Sequence, residues 1–207
     1  KPNPPLGIMY LSSYLRKHGI DSSIHELGVF SRAEAHIKNN RIRFGVSNCD
    51  IEHILLKENP SIVGITSMYS IYFNDILDIA RLVKKILPKC KVVLGGNHAS
   101  SYWPDIIQNK NIDIVVIGEG EETFLDICKG ASLEDINGIA YQSGNTIRAN
   151  VKRELIKNLD DIPFPAYDKI SFERYIEKDN PFCMRLSSMG IISSRGCPGA
   201  CIYCTVK

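Results

Sequence analysis

The stretch SIVGITSMYSIYFNDILDIARLVKKILPKCKVVLGG, residues 61–96, decides the fold. Its beginning, residues 61–66, is a short apolar run of the kind that forms a buried parallel strand. Residues 72–87 repeat apolar side chains at helical spacing and stop at Pro88, which cannot continue a helix. A second apolar run, residues 91–94, ends at two glycines. A strand, a helix and a strand in this order predict a right-handed βαβ unit of a parallel sheet.

The same alternation continues on both sides of this stretch. Helical spacing and short apolar runs follow one another with turn residues between them. We therefore expect residues 1–130 to form an α/β domain with a doubly wound, Rossmann-like parallel sheet. The further predicted elements are helices at 6–17, 102–109 and 121–128 and strands at 20–27 and 113–117. A further helix is predicted to be capped by Asn48 or Asp50 and to end near Glu58.

The pattern changes from about residue 131. Residues 138–142 and 146–149 flank Ser-Gly-Asn and predict a β-hairpin. The segment LDDIPFPA, residues 159–166, contains two prolines and cannot be a regular helix, so we expect an ordered connector that packs Ile162 and Phe164. We assign residues 131–186 to the hairpin and connector. Residues 187–207 are expected to begin a further domain, with a first strand at 191–196.

Composition excludes several classes of function. The chain has 207 residues, 44% of them hydrophobic, and a formal net charge of +2, which argues against nucleic acid as a partner. It contains no apolar run of membrane-spanning length and no signal peptide. Seven cysteines is an odd number, which disfavours a disulfide framework, and a reducing cytoplasm is the expected compartment.

Three cysteines close the chain in SSRGCPGACIYC, residues 193–204. Cys197, Cys201 and Cys204 have the spacing C-x3-C-x2-C, and three thiolates on one short loop can hold three irons of a 4Fe–4S cluster. The fourth iron then lacks a protein ligand and is open to a small molecule. A zinc site is the alternative, but its fourth ligand would come from a distant segment, since the last histidine is His98. The other cysteines are expected to be plain thiols: Cys49, Cys90, Cys128 and Cys183.

Small and polar residues follow three of the predicted strands. In an open parallel sheet, ligands lie beyond the carboxyl ends of the strands, and glycine lets a ligand approach the backbone closely. Each piece also has a structural explanation, because a Gly-Gly pair commonly makes a tight turn and a lone histidine commonly has a structural role. The candidate cofactor-binding residues are Ser67, Gly95, Gly96, His98, Gly118, Glu119 and Gly120.

The cysteine motif resembles that of the radical S-adenosylmethionine enzymes. The resemblance includes the lead-in at residues 191–196 and the aromatic Tyr203 before the last cysteine. It implies that S-adenosylmethionine binds through its amino and carboxylate groups at the open iron, with Tyr203 near the adenine. A barrel of this family needs roughly 200 further residues, by analogy with other β/α barrels. We therefore expect this chain to be an inactive N-terminal part of a longer enzyme, ending in the first strand of a truncated barrel.

The rest of the chain resembles the cobalamin-binding domain that precedes the barrel in one large branch of that family. The matching motifs, in order, are PPLG at 4–7, GGxHA at 95–99, GEGE at 118–121 and DxPxP at 161–165. The resemblance implies that cobalamin lies against the strand ends, lined by the seven candidate residues. Many cobalamin proteins carry an Asp-x-His-x-x-Gly loop, but here Ser23 stands in place of the aspartate. We read His25 as an ordinary residue without a bond to cobalt.

Together these resemblances imply a cobalamin-dependent radical enzyme. Its cluster would reduce S-adenosylmethionine to a 5′-deoxyadenosyl radical, which removes a hydrogen from an unreactive carbon, and methylcobalamin would supply a methyl group. A small-molecule substrate and an external electron donor of the flavodoxin or ferredoxin type are the implied partners. Cyclisation or rearrangement, a cobalamin-free radical oxidoreductase or cyclase, and a cobalamin or nucleotide-binding module with a plain metal site are the alternatives.

Overall fold

The computed structural model describes residues 4–27, 36–38, 41–43, 45–144, 146–171, 175, 190–199, 201, 202 and 204. The chain divides into two compact units. The first consists of residues 1–51 and 162–193, and the second of residues 52–161 and 194–207.

The first unit contains the helix α1 (Leu6–Lys17) and a small antiparallel hairpin of β1 (His36–Lys38) and β2 (Arg41–Arg43). Met9 and Leu15 are buried on α1, and the Met9 carbonyl accepts a hydrogen bond of 3.1 Å from the N–H of Ala166. The next helix, α2 (Asn48–Glu58), follows in the chain. α1 matches the predicted bounds and α2 ends where predicted, but its cap is wrong: Ser47 Oγ accepts from Asp50 N–H over 3.2 Å, so Asn48 and Asp50 lie within the helix.

The strand predicted at residues 20–27 is wrong. This segment is irregular, and its polar groups bond outside any ladder: Ser22 Oγ lies 2.9 Å from Ser12 Oγ, and the Leu27 carbonyl accepts from the N–H of Val46. Its alternation of apolar residues was weak, and a strand forms only where a neighbouring strand supplies the ladder. His25 is exposed within this irregular segment.

The second unit is built on one five-stranded sheet. Its order is β3 (Ile62–Thr66), β4 (Lys91–Gly95), β5 (Ile114–Val116), β6 (Ile139–Ser143) and β7 (Thr146–Ala149). The first three strands are parallel, as expected for βαβ units, whereas β6 pairs antiparallel with β5 and β7 antiparallel with β6. The α/β, Rossmann-like fold is therefore confirmed, but the sheet is mixed, and its described strands run in sequence order without the reversal of a doubly wound sheet. The predicted hairpin extends this sheet past residue 130, and the proposed division into domains stays a prediction.

The helices of the second unit are α3 (Phe73–Ile86), α4 (Asn97–Ile106) and α5 (Glu121–Cys128). The predicted helix at 102–109 is wrong at its start, because α4 begins directly after Gly96. Its first turns carry the small and polar residues that looked like a loop, and a kink at Tyr102 (φ −118°, ψ 22°) precedes Pro104. The non-helical Tyr102 separates two helical parts, so the prediction found the part that follows Tyr102 and missed the part at residues 97–101.

The core lies along the middle strands. Val92, Val93 and Leu94 are all buried, and so are all three residues of β5. Because consecutive strand residues point to opposite faces, both faces of these strands are covered. One buried cluster consists of Val93, Ile114, Val116, Ile127, Ile136, Ile139 and Tyr141.

Two expectations for the later part of the chain need correction. Ile162 is buried as expected, but Phe164 is 78% exposed. Residues 191–196 form no strand among the described residues, because no neighbouring strand pairs with them there; Ile192 N–H instead donates to Tyr10 Oη over 3.2 Å.

Across the described part of the chain, no helix combines the length and apolar character needed to span a membrane.

Candidate functional site

The carboxyl ends of β3, β4 and β5 lie at one edge of the sheet, because these strands are parallel and in register. At this edge Ser67 N–H donates to the Gly95 carbonyl over 2.7 Å, and His98 N–H donates to the Ser67 carbonyl over 3.0 Å. Gly96 lies between them with φ +101°, and a Cβ on it would meet the Ser67 carbonyl oxygen at 2.7 Å. The exit of β3 and the start of α4 are therefore bonded together, and only glycine fits at position 96.

The imidazole of His98 is buried in the first turn of α4. Its Nδ1 lies 2.9 Å from Ser70 Oγ, and its ring contacts Phe73 and Tyr102 with centroid distances of 4.8 and 4.9 Å. Burial lowers the pKa of His98 below its usual value of 6.5. The ring is therefore neutral near pH 7 and can offer a hydrogen bond at its second nitrogen.

Two buried polar atoms at this edge have no hydrogen-bond partner among the described residues. They are Ser67 Oγ, on a residue with no exposed surface, and His98 Nε2, on a residue that is 9% exposed. Buried polar atoms are nearly always hydrogen-bonded, and each exception needs an explanation. Both atoms are enclosed by the protein, so a ligand reaches them only when side chains at this edge shift; the unpartnered pair marks this corner as the place where polar groups of a large cofactor would bond.

The end of β5 is built differently. Gly118 has φ +90°, is exposed, and has no atom within 4 Å of the position that a Cβ would take. Its N–H donates to Ser100 Oγ over 3.0 Å, which ties this turn to α4. Gly95 also has room, since its nearest neighbour would be Val116 Cβ at 3.8 Å. The backbone at Gly118 is therefore accessible to a ligand, whereas Gly95 is half-buried and its carbonyl is bonded to Ser67.

The carboxylates that follow β5 bind an arginine from the cysteine segment. Glu119 Oε1 accepts from Arg195 Nη1 over 3.1 Å, and Glu121 Oε1 accepts from Arg195 Nη2 over 2.5 Å. Burial opposes the charge of Arg195, but the hydrogen bonds and charges of Glu121 and Glu119 outweigh it and raise the pKa of the guanidinium. The other oxygen of Glu119 accepts from Ile156 N–H over 2.7 Å. The predicted cofactor residue Glu119 thus uses both carboxylate oxygens within the protein.

The three cysteines of the motif are exposed thiols. Gly199 N–H donates to Cys197 Sγ over 3.4 Å, and a Cβ on Gly199 would lie 3.4 and 3.6 Å from the sulfurs of Cys197 and Cys201. The glycine therefore leaves the space beside these two sulfurs open. In the described part of the chain, no three His, Cys, Asp or Glu side chains surround a point where one metal ion could bind. In a 4Fe–4S cluster each thiolate binds a different iron.

The sequence reasoning missed two features of this edge. One is the Arg195 link to Glu119 and Glu121, whose signal was an arginine directly before Gly-Cys in a segment of small and apolar residues. The other is an apolar rim, which we define as Met68, Tyr69, Ile71, Tyr72 and Tyr102, all between 46% and 73% exposed. Four of its members directly follow β3, where polar loop residues are usual.

The predicted cofactor residues of β3, β4 and β5 are thus brought to one edge, and Gly120 joins them as the residue before α5. The cysteines follow Arg195, which is bonded at this edge. Tyr203, the predicted adenine contact, lies outside the described residues. The role of every one of these residues in binding stays a prediction.

Comparisons with known proteins agree with this architecture. The chain is 32% identical over 208 residues to an uncharacterized methyltransferase of Pyrococcus horikoshii, covering 98% of this chain and 40% of that protein. It is 26% identical over 233 residues to the cytidylyl-2-hydroxyethylphosphonate methyltransferase of Streptomyces wedmorensis, covering 97% of this chain and 43% of that protein. The chain thus spans about two fifths of the length of these relatives.

Among solved structures, the chain resembles the cobalamin-dependent S-adenosylmethionine radical enzyme OxsB with aqua-cobalamin and S-adenosylmethionine bound. The TM-score is 0.62 at 22% identity, over 81% of this chain and 22% of that one. This similarity supports the fold. The family described as the B12 binding domain matches residues 2–127, more than half of the chain. By this match, the chain belongs to the B12-binding domain family.

Proposed function

We propose that this chain is the cobalamin-binding and cluster-bearing part of a cobalamin-dependent radical S-adenosylmethionine enzyme that transfers a methyl group to an unactivated carbon. The observation that carries the proposal is the corner where Ser67 Oγ and His98 Nε2 are buried without a protein partner. The family match and the relatives, two of which are methyltransferases, support it.

Each part of the edge has a role in this proposal. Ser67 and His98 bind polar groups of cobalamin, the open backbone at Gly118 admits the cofactor closely, and Gly95 and Gly120 line the same edge. Gly96 lets the start of α4 pack directly against the Ser67 backbone, which holds the two segments together. Glu119 contributes through its backbone, because its carboxylate is bonded elsewhere.

The cysteine loop has the second set of roles. Cys197, Cys201 and Cys204 hold the 4Fe–4S cluster, and Tyr203 contacts the adenine of S-adenosylmethionine. When bound, the cluster with S-adenosylmethionine supplies a radical that removes hydrogen from carbon, and cobalamin supplies the methyl group. The protein holds these groups and excludes water. We include a small-molecule substrate, an electron donor of the flavodoxin or ferredoxin type and a cytoplasmic location in the proposal, because the cysteines need reducing conditions.

The test uses the full-length protein, reconstituted anaerobically with iron and sulfide and titrated with hydroxocobalamin. We expect cluster absorbance that disappears when Cys197, Cys201 and Cys204 are all replaced by Ala. The matched control is Cys49→Ala, which removes another exposed thiol and should leave the absorbance unchanged. Retained cluster absorbance in the triple variant, or no cobalamin binding by the wild type, contradicts the proposal.

A cobalamin-free radical enzyme is the second candidate. One observation favours it: the conformation and close packing of Gly96 are fully explained by its contact with the Ser67 backbone, without a ligand. The hydroxocobalamin titration separates the two, since only the first candidate binds the cofactor.

A further inference from the structure

The link between Arg195 and the turn after β5 has a geometry that goes beyond simple charge pairing. Arg195 uses two different nitrogens on two different carboxylates, Glu119 and Glu121, and these stand at two points of the same turn. A planar guanidinium bonded at two points fixes both the position and the orientation of its side chain. The link limits how far the backbone of Arg195, two residues before Cys197, can move from this turn.

The acceptor side of this link belongs to the framework of the sheet. The Glu119 carboxylate is also held by Ile156 N–H, and Glu121 is the first residue of α5, with a side chain that is only 6% exposed. Both carboxylates therefore have fixed positions relative to β5. Arg195 comes from the cysteine segment, which is far from Glu119 and Glu121 in the sequence.

The cysteine loop itself closes by short-range bonds. Gly199 N–H donates to Cys197 Sγ, and Cys204 N–H donates to the Cys201 carbonyl over 3.2 Å. These bonds shape the loop but do not connect it to the sheet. The Arg195 link supplies a connection to the turn that follows β5, where the candidate cobalamin residue Gly118 also lies.

Stability alone is a weak explanation for such a link. Removing charged groups from water costs free energy that offsets most of their attraction, and buried ion pairs are better attested as devices that specify geometry. We propose that Arg195 is a positioning residue: bound to Glu119 and Glu121, it holds the cysteine loop at the β5 end of the sheet's carboxyl edge and so presents the three thiols for cluster binding. This inference rests on the proposed function.

The test compares Arg195→Gln with Arg153→Gln in the reconstituted full-length protein. Arg153 is a matched control, because it has the same 22% exposure and is bonded to the carboxylates of Glu122 and Asp126, within the second unit. We expect Arg195→Gln to lose iron to a chelator about tenfold faster than the wild type, as for residues that orient metal ligands. Arg153→Gln should keep the wild-type rate. Hydroxocobalamin affinity should stay within about twofold in Arg153→Gln, whereas Arg195→Gln frees Glu119 and Glu121 in the candidate cofactor turn and should weaken it further.

Two further readouts distinguish positioning from a general loss of stability. The electron paramagnetic resonance spectrum of the reduced cluster should change in Arg195→Gln and not in Arg153→Gln. Arg195→Lys should restore only part of the iron retention, because a single ammonium cannot bond both carboxylates in the same geometry. If Arg195→Gln does not fold, as judged by its circular dichroism spectrum, Arg195→Lys takes its place in the comparison.

The outcomes separate this inference from the proposed function. If the wild type binds no cluster, the proposed function fails. If the wild type binds a cluster and the Arg195 variants retain iron as it does, only the positioning role is overturned. Equal iron loss in Arg195→Gln and Arg153→Gln also overturns it, because the effect is then one of stability.

Discussion

Two glycines follow neighbouring parallel strands with similar backbone conformations but opposite surroundings. Gly96 has φ +101° and is packed against the Ser67 backbone, whereas Gly118 has φ +90° and is open on its Cβ side. In the sequence both are simply glycines after an apolar run. The difference shows that Gly96 is needed for the folding of this edge, whereas Gly118 leaves the edge accessible to a ligand. Mutations at the two positions should therefore have different consequences.

The largest expected effect is that of Gly96→Ala on stability. The substitution adds the strain of a positive φ and an overlap with the Ser67 carbonyl, and we expect a loss of at least about 3 kcal/mol in the free energy of unfolding. Urea unfolding of the full-length protein measures it. Gly118→Ala is the control and should lose only about 1–2 kcal/mol, from strain alone. Equal losses would show that the contact with Ser67 is not tight.

The second prediction concerns the open space at Gly118. Gly118→Ala and Gly118→Leu carry the same backbone strain, so their stabilities should agree within about 0.5 kcal/mol. Their hydroxocobalamin affinities should differ by about tenfold or more, because the leucine side chain fills the space that the cofactor approaches. Titration followed by absorbance measures this. Equal affinities would place the cofactor away from Gly118.

Ser67→Ala should separate binding from stability. The Ser67 hydroxyl has no partner among the described residues, so removing it should not destabilise the cobalamin-free protein. Cobalamin affinity should fall about fivefold, the value of one hydrogen bond of about 1 kcal/mol. The measurement pairs urea unfolding without ligand and a hydroxocobalamin titration. A variant that loses stability and keeps its affinity would contradict the role of the hydroxyl.

The smallest expected effect is the pH dependence that His98 contributes to stability. Burial lowers the pKa of His98 in the folded state below its unfolded value of 6.5. The unfolded state therefore binds a proton first, and this contribution to stability, complete above pH 6.5, is lost as the pH falls below that value. Urea unfolding between pH 7.5 and about 5 should show a steeper decline for the wild type than for His98→Gln. Parallel declines would show that His98 stays solvated.

Much of the fold follows from local patterns. The apolar spacing of α3, the exact limits of α1 and α5, and the short runs of β3 and β4 are properties of neighbouring residues, and the structure confirms them. The predictions are wrong where residues far apart in the sequence determine the local conformation. The segment at 20–27 pairs with no strand among the described residues. The helix α4 begins at Asn97 because the turn at Gly96 is held by Ser67, which follows β3.

The candidate site divides in the same way. The sequence by itself determined which residues lie at the strand ends, since apolar runs and glycines mark them, and it determined the spacing of the three cysteines. Only the tertiary structure decided that Gly96 is packed and Gly118 is open, and that β6 and β7 extend the sheet. It also decided that the Glu119 carboxylate is bonded to Ile156 and Arg195. The physical reason is that spacing encodes the conformation of a segment, while contacts between segments depend on surfaces that are far apart in the chain and meet only in the folded state.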